Sequence, residues 1–439
     1  MAIGTLNREY VSSLDYMDTR ELLREILDTS NEKMSFIDVM ELTNRMVQTD
    51  QTTYRHFVNE DLFTLGVVSA VSGTGTTINV TITAASKDSC KAKDTVIFPD
   101  GKQGYVQSKS AATNPVLVVI SLDGTAITNS CSAGDNLSFY ANAHGEGTGS
   151  PDPEEWPTTA YSNQVQIYKA KYAVTDLQKT SRIEATIGGK DFYFYKVQDD
   201  VLTKFKANIG FSMLLSIASA ANFGSSAATI TDSDGKAIQT TRGLNQYIED
   251  YGINNTMDGT TIALSDFEDL NRTMTLARCP DSYEVYTGVE FAMPWDNFFN
   301  GLQNNGIISQ AGRYQINQNM EFGVTSVRLY GRDYHRIDMP QLDHRGVTHY
   351  TGAPDEYKSA YFIPRDKVMV QGGGRVDRLR VRYMQNDGTD LRYKEYVTGG
   401  LAPRPTNDIA ELAFSYESVM GLEVLGAVAF AKMTPAATT

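Results

Sequence analysis

The 439-residue sequence is short of the residue types that usually advertise chemistry. Its three cysteines, Cys90, Cys131 and Cys279, are too few for a disulfide framework and spaced unlike a zinc site. Cys90 and Cys131 fall in one β-rich segment and could meet, but free buried thiols are the expectation. Positive charge is scarce: 39 Lys and Arg against 53 Asp and Glu leave a formal net charge of −14. That excludes a protein that grips nucleic acid over its whole surface, because such binding rests on Lys and Arg displacing counterions. No apolar run reaches the ~18 residues of a membrane span. The best attempt, Met420 to Ala431, is short and carries Glu423. The first twenty residues contain no apolar signal core, and a chain made and kept in the cytosol is expected. There is no internal repeat, no GxSxG and no HExxH.

What is present supports a packed protein of two or three domains, with 41% hydrophobic and 21% charged residues. The texture changes twice. Residues 1–64 are acidic and helical in pattern. Asp18 and Glu21 signal a helix start before ELLREILDT, and a second helix starts at Ser35 with Phe36, Val39, Met40, Thr43 and Val47 on one side. Residues 65–143 alternate with a strand period, and GVVSAV, TTINVTIT, DTVIF, GYVQS, PVLVVIS and DNLSFYA are six short strands separated by turn sequences. Six strands in so short a stretch predict a small barrel or sandwich. A polar loop follows, and Tyr161 to Asp176 reads as a long strand. The spacing then predicts a helix over about 190–221, with Val197, Val201, Phe205, Ile209 and Met213 recurring every four residues.

The remainder is mixed. Gly243 to Tyr251 reads as a short helix. Ser265 and Glu268 form a capping box for SDFEDLNRTMTLARC, and Pro294 opens a helix at its first turn. SYEVYTG, GVTSVRLYG, AYFIP, KVMVQ and DRLRVRYMQ read as strands. LRYKEYVTGGLAPRP is a strand and loop, and the apolar stretch from Ala413 a final strand region.

The constellations that could carry chemistry have plainer explanations. His335, His344 and His349 interleave with Asp333, Asp338 and Asp343, but the spacing fits no standard metal pattern and YHRIDMPQLDHRGVTHY reads as an irregular loop. Asp232 to Gly235 resembles the start of a calcium loop, yet Gly243 stands where that loop needs a bidentate glutamate, so a turn is expected. QGGGR (371–375) lacks the spacing of a phosphate loop. Glu154 and Glu155 are adjacent and so ill placed as a glycosidase pair; they read as part of a loop anchored by Trp156. Arg378, Arg380 and Arg382 share one side of a strand. Ion pairs with acids of an adjacent subunit are the favoured reading, with a solvated face and DNA contact as alternatives. No catalytic residue, metal ligand or cofactor site is assigned. Arg378, Arg380, Arg382, Trp156, Glu154 and Glu155 are the interface candidates.

The order of segments resembles the major capsid proteins of tailed double-stranded DNA bacteriophages, whose fold is shared with encapsulins and the herpesvirus capsid floor. ANAHGEGTG with YSNQVQIYKAKYAVTD looks like the return of that family's extended loop. FYFYKVQDDVLTKFKANIGFSMLLS looks like its spine helix, TRGLNQYIEDYG with SDFEDL and SYEVYTGVEF like the start of its axial domain, and LRYKEYVTGGLAPRPTNDIAELAFSYESVMGLEVLGAVAF like its final return strand. The resemblance implies an α+β capsid fold. Its parts would be an N-terminal arm (1–64), an inserted all-β domain (65–143), an extended-loop return (144–176), a peripheral domain with the spine helix (177–235), an axial domain (236–395) and a C-terminal return (396–439). The family's simplest members carry only a hairpin where the insertion falls. The resemblance further implies a non-enzymatic subunit of an icosahedral virion head, assembled in the host cytoplasm. Its partners would be copies of itself in pentamers and hexamers, portal and scaffolding proteins, head auxiliary or fibre proteins, and packaged DNA without sequence-specific contact. No membrane is involved. An encapsulin-like cargo shell and a virion adhesin using the β-domain are the alternatives.

Overall fold

The computed structural model describes residues 35–59, 65–149, 158–175, 193–219, 230–259, 261–304, 326–343, 355–370, 374–386, 388–402, 405–406 and 408–436. The chain divides into two compact units, residues 57–161 and the remainder.

Helix α1 (Phe36–Leu42) opens on a reciprocal cap. Asp38 N–H donates to Ser35 Oγ at 3.4 Å, and Ser35 N–H donates to Asp38 Oδ2 at 3.0 Å. Phe36, Ile37 and Met40 are buried. The apolar spacing carried this helix on to Val47, but it stops at Leu42. Asn44 takes a left-handed φ of +54°, and Val47 falls in strand β1 (Met46–Thr49). The helix predicted before ELLREILDT lies outside the described residues. Strand β2 (Thr53–Asn59) follows.

The smaller unit holds the predicted strands, all six of which form: β3 (Gly66–Ser72), β4 (Thr77–Ile82), β5 (Asp94–Ile97), β6 (Gln103–Lys109), β7 (Val116–Ser121) and β8 (Asn136–Asn142). They close into a barrel in the order β3-β4-β7-β6-β5-β8. Alternate residues turn inward, and Val68, Ile78, Val80, Val96, Val106, Leu117, Val119 and Leu137 fill the interior. Cys90 and Cys131 join this core as free thiols, and Cys279 is free and buried elsewhere. Burial pushes the Cys90 thiol up to about 12 and that of Cys131 to about 11.

Strand β9 (Thr158–Gln164) pairs with β2 as a two-stranded ribbon, and both unit boundaries fall inside it. The larger unit continues with β10 (Gln166–Thr175) and α2 (Tyr193–Leu215). Sequence spacing placed α2 over about 190–221; of its stripe, Phe205, Ile209 and Met213 are buried and Val201 is half-buried. Then come α3 (Leu244–Tyr251), β11 (Ile253–Thr256), α4 (Leu264–Leu276), β12 (Ser282–Thr287) and α5 (Val289–Asn304). Two starts differ from the sequence reading. Helix α4 is closed by Asp266, whose carboxylate accepts from the N–H of Ala263 at 2.8 Å and of Asp258 at 3.1 Å, and Ser265 lies inside the helix. Helix α5 begins five residues before Pro294, which sits within it. A proline there forgoes one intrahelical bond, and burial of Phe291, Trp295 and Phe299 outweighs the loss.

Strands β13 (Ser326–Leu329) and β14 (Arg332–Asp338) form a hairpin through Tyr330 and Gly331, both at positive φ. The segment from Tyr334 to Asp338, which its charges made look like a loop, is therefore a strand paired with β12. After it come β15 (Ala360–Pro364), β16 (Lys367–Val370), β17 (Gly374–Asp377), β18 (Leu379–Asn386), β19 (Thr389–Asp390), β20 (Lys394–Thr398), β21 (Glu411–Val424) and β22 (Ala431–Thr434).

Two sheets organise this unit. The first runs β1-β18-β21-β10, with β19 on β18 and β20 on β21. The second runs β11-β22-β15-β12-β14-β13. Between β21 and β22, Gly426 takes φ +68°, a left-handed turn that sends the chain from one sheet to the other. The period-2 geometry of a strand splits the second sheet's apolar residues between two cores. Tyr283, Val285, Ala360 and Phe362 face the aromatic layer of α4 and α5, where Trp295 and Phe299 rings lie 4.8 Å apart. Tyr286, Tyr361 and Ile363 face a core shared with α1, α2, α3 and the first sheet. The strands that carry both sets are buried on both sides, as near-continuous apolar runs should be.

Candidate functional site

No group of three or more His, Cys, Asp or Glu converges as a metal set among the described residues. His335 and Asp333 lie in β14; His344 and His349 lie outside the described residues. Asp232 does form the tight turn expected of it, its carboxylate accepting from the N–H of Asp234 at 3.0 Å and of Lys236 at 2.8 Å. A groove of about 430 Å³ is lined by Glu41, Asn44, Met46, Lys206, Tyr383 and the Arg392–Tyr393 pair. Its cations are committed: Lys206 lies 5.2 Å from the Tyr393 ring centre and 3.8 Å from Asp38, and Arg392 lies 5.4 Å from the Tyr383 ring. A groove of about 500 Å³ on the barrel is lined by Asp100, Gly101, Lys102, Gln103, Leu122 and Asp123. Neither groove brings a nucleophile to a base.

The densest polar assembly sits where β2 and β9 meet the first sheet. Asn163, buried, is its centre. The side-chain amide donates to the carbonyl of Leu422 at 2.7 Å and of Arg242 at 3.0 Å, and its oxygen accepts from the N–H of Arg242 at 2.9 Å. Tyr54 donates its hydroxyl to the same Leu422 carbonyl at 2.6 Å. Gln164 donates to the Thr240 carbonyl at 2.8 Å. Gly421 allows this approach, since a Cβ there would stand 2.6 Å from the Gln164 carbonyl oxygen. Fully bonded buried polar groups of this kind fix one arrangement of the strands that carry them.

The arginines singled out by sequence adjoin this assembly. Arg382 forms a two-point bond to Glu423, both distances 2.9 Å, and lies over the Tyr54 ring at 5.6 Å. Arg380 reaches the same carboxylate at 2.8 Å. Glu423 is 2% exposed. Arg378 makes a two-point bond to Asp366 at 2.7 and 2.8 Å. All three arginines thus have acid partners within their own chain. Trp156, Glu154 and Glu155 lie outside the described residues. Sequence reading missed Tyr54 and Asn163 altogether. It met Glu423 only as the charge that spoils an apolar run, which was the available signal: a lone acid among buried residues needs a cation.

Two further polar ties hold the unit together. Arg45, just before β1, makes a two-point bond to Glu284 of β12 at 3.1 and 3.2 Å. Arg332, 5% exposed, is held by neutral acceptors, Asn271 Oδ1 and Thr275 Oγ1, both at 3.0 Å. Among the described residues, exposed apolar side chains include Leu276 at 75% exposure, Ile217 at 71%, Met293 at 64% and Ile167 at 60%.

Among solved structures, similar arrangements include a chain from Microbacterium phage Oxtober96, at TM-score 0.45 and 11% identity, covering 98% of this chain and 100% of that one. Another is from Gordonia phage Cozz, at TM-score 0.46 and 11% identity, covering 100% of this chain and 98% of that one. A third is the holo-SrpI encapsulin complex from Synechococcus elongatus PCC 7942, at TM-score 0.35 and 9% identity, covering 63% of this chain and 75% of that one. No curated protein matches the sequence. The assignment comes from the sequence itself, because the family model described as SU10 major capsid protein matches residues 5–330. The chain belongs to the SU10 major capsid protein family.

Proposed function

We propose that this protein is the structural subunit of an icosahedral phage head, assembling into pentamers and hexamers that enclose double-stranded DNA. The family match over residues 5–330 carries the reading. In it, α2 and the first sheet form the peripheral domain, and the second sheet with α4 and α5 forms the axial domain at the capsomer centre. The ribbon of β2 and β9 is the extended loop, and the barrel covers a neighbouring subunit or the outside of the shell. Assembly takes place in the host cytoplasm with portal, scaffolding and head auxiliary proteins.

The mechanism is burial between copies. Permanent interfaces between subunits bury more than about 2,000 Å², and the exposed Leu276, Ile217 and Met293 are side chains that such contact would remove from water. Arg378, Arg380 and Arg382, whose charges are met inside the chain, stiffen the sheet that neighbours press against. A net charge of −14 suits a container that must not adsorb its genome. Screening confines that repulsion to roughly 8 Å at physiological salt, so only residues on the inner wall contribute.

The test is negative-stain electron microscopy of the purified chain, with mass photometry across several salt concentrations. Rings, sheets or closed shells are expected. A species that stays monomeric or a small oligomer, even with crowding agents and a scaffolding partner, overturns the reading.

A further inference from the structure

Helix α3 and strand β22 bring a lysine, a carboxamide and a carboxylate to one point. Asn245 and Glu249 stand four residues apart on α3 and so share a face. Asn245 Nδ2 donates to Glu249 Oε1 at 3.0 Å. Lys432 Nζ, from β22, donates to the same oxygen at 2.9 Å. Strand alternation puts the lysine there: Ala431 and Met433 turn into the core beside α4 and α5, and Lys432 turns to the other side of the sheet. Tyr361 is its partner across the β15–β22 ladder. The Tyr361 hydroxyl donates to Asn245 Oδ1 at 3.3 Å and to the Glu356 carbonyl at 3.0 Å, one proton shared between two acceptors. Asn245 and Lys432 are each 6% exposed, whereas the Glu249 side chain is 46% exposed.

An ion pair needs only the lysine and the glutamate. In this cluster the oxygen that takes the lysine proton also holds the amide nitrogen, and the amide oxygen has a donor of its own. These are the parts of an acyl transfer: a nucleophile, a base in contact with both nucleophile and leaving group, and a hydrogen-bond donor where charge develops. Burial holds the Tyr361 hydroxyl well above the ordinary tyrosine range, so it remains a donor. Little water reaches Asn245 or Lys432 to compete as nucleophile. The more open Glu249 gives a small leaving group a way out.

We propose that Lys432 and Asn245 join in an isopeptide bond that the chain forms on itself, with Glu249 as the base. Lys432 Nζ passes a proton to Glu249, and its lone pair attacks Cγ of Asn245. Charge develops on Oδ1, against the Tyr361 hydroxyl. Glu249 hands its proton to Nδ2 and takes a second from Nζ. The Cγ–Nδ2 bond breaks, Nδ2 leaves as ammonia, and Glu249 gives its remaining proton to it, so that ammonium is released. Nothing is oxidised or reduced, and no co-reactant is needed. The structure holds the groups before this bond, Nζ and Nδ2 each one hydrogen bond from the same oxygen. Rotation about the lysine's own bonds carries Nζ on to Cγ, and holding the groups together replaces a bimolecular encounter. The bond fastens β22 to α3 and closes a long loop of chain, which limits the unfolded state as a disulfide does. The inference concerns a single chain and stands apart from the capsid-subunit reading.

Mass spectrometry of the purified full chain tests it, on dispersed subunits and on shells where they form. The parent should be lighter than its sequence by one ammonia, and tryptic digestion should yield a peptide in which Asn245 is joined to Lys432. Glu249→Gln, which removes the base, should lower the joined fraction by about tenfold or more. Lys432→Arg keeps a cation beside Glu249 and should show no joined peptide and no loss of ammonia. Parent chains at full sequence mass in every form overturn the proposal. So does an ammonia loss that persists in Lys432→Arg, because it belongs to another residue. A joined fraction that is unchanged in Glu249→Gln overturns the role given to the glutamate.

Discussion

Glu423 neutralises two guanidiniums with one carboxylate in a place almost without water. Removing the acid leaves Arg380 and Arg382 confronting each other. Glu423→Ala should therefore cost about 3–5 kcal/mol, the usual range for breaking one side of a buried pair, seen as a lower midpoint in urea unfolding. Glu423→Gln, which keeps the shape and two polar ends, should cost less. His56 sits in the same field. Burial is the main influence holding its imidazole below the ordinary histidine value; Glu423 pulls upward, and Arg380 and Arg382 press it further down. The unfolded chain takes up this proton near pH 6.5 and the folded chain only below that. The contribution to stability is thus complete above about 6.5 and is lost as pH falls from there through the folded value. Cooling of the melting point between about pH 7.5 and about pH 5.5 should be larger for the parent protein than for His56→Gln. An equal drop in both would remove His56 from the account.

Elements were legible from sequence where one local rule ruled. The six barrel strands alternate cleanly between turn sequences, and each formed where its pattern placed it. Helix α2 was legible from its four-residue stripe, because one face is buried and the other is not. The rest depended on what lay opposite. Strand β14 carries Arg332, Asp333, His335, Arg336 and Asp338 in seven residues, a composition that resembles a loop. It is a strand because its charges find partners off the strand, Arg336 with Asp296 at 2.7 Å and Arg332 with Asn271. Helix α1 ended early because Asn44 adopts a left-handed turn that apolar periodicity does not register. Pro294 suggested a helix start, and the apolar residues flanking it kept the helix going instead. The polar assembly around Asn163 was illegible for the same reason: its partners come from positions 54, 242 and 422, far apart in sequence.

At the scale of the whole molecule, the capsid family was legible in the order of segments, before any single site was. The two units have separate cores, and Val68 to Leu137 of the barrel pack among themselves. Replacing residues 66–137 by a short Gly-Ser linker should therefore leave the larger unit folded, its melting point shifted by no more than a few degrees in calorimetry. Loss of its cooperative transition would show that the barrel is needed for the larger unit to hold together. The excision is feasible because Gly66 and Leu137 are ladder partners, which sets their Cα atoms about 5 Å apart. The barrel thus enters and leaves the chain through neighbouring points. Any domain whose own ends lie that close could be spliced into the same position, and a shell built from such chains would carry one foreign domain per subunit, a ready site for antigen or enzyme display.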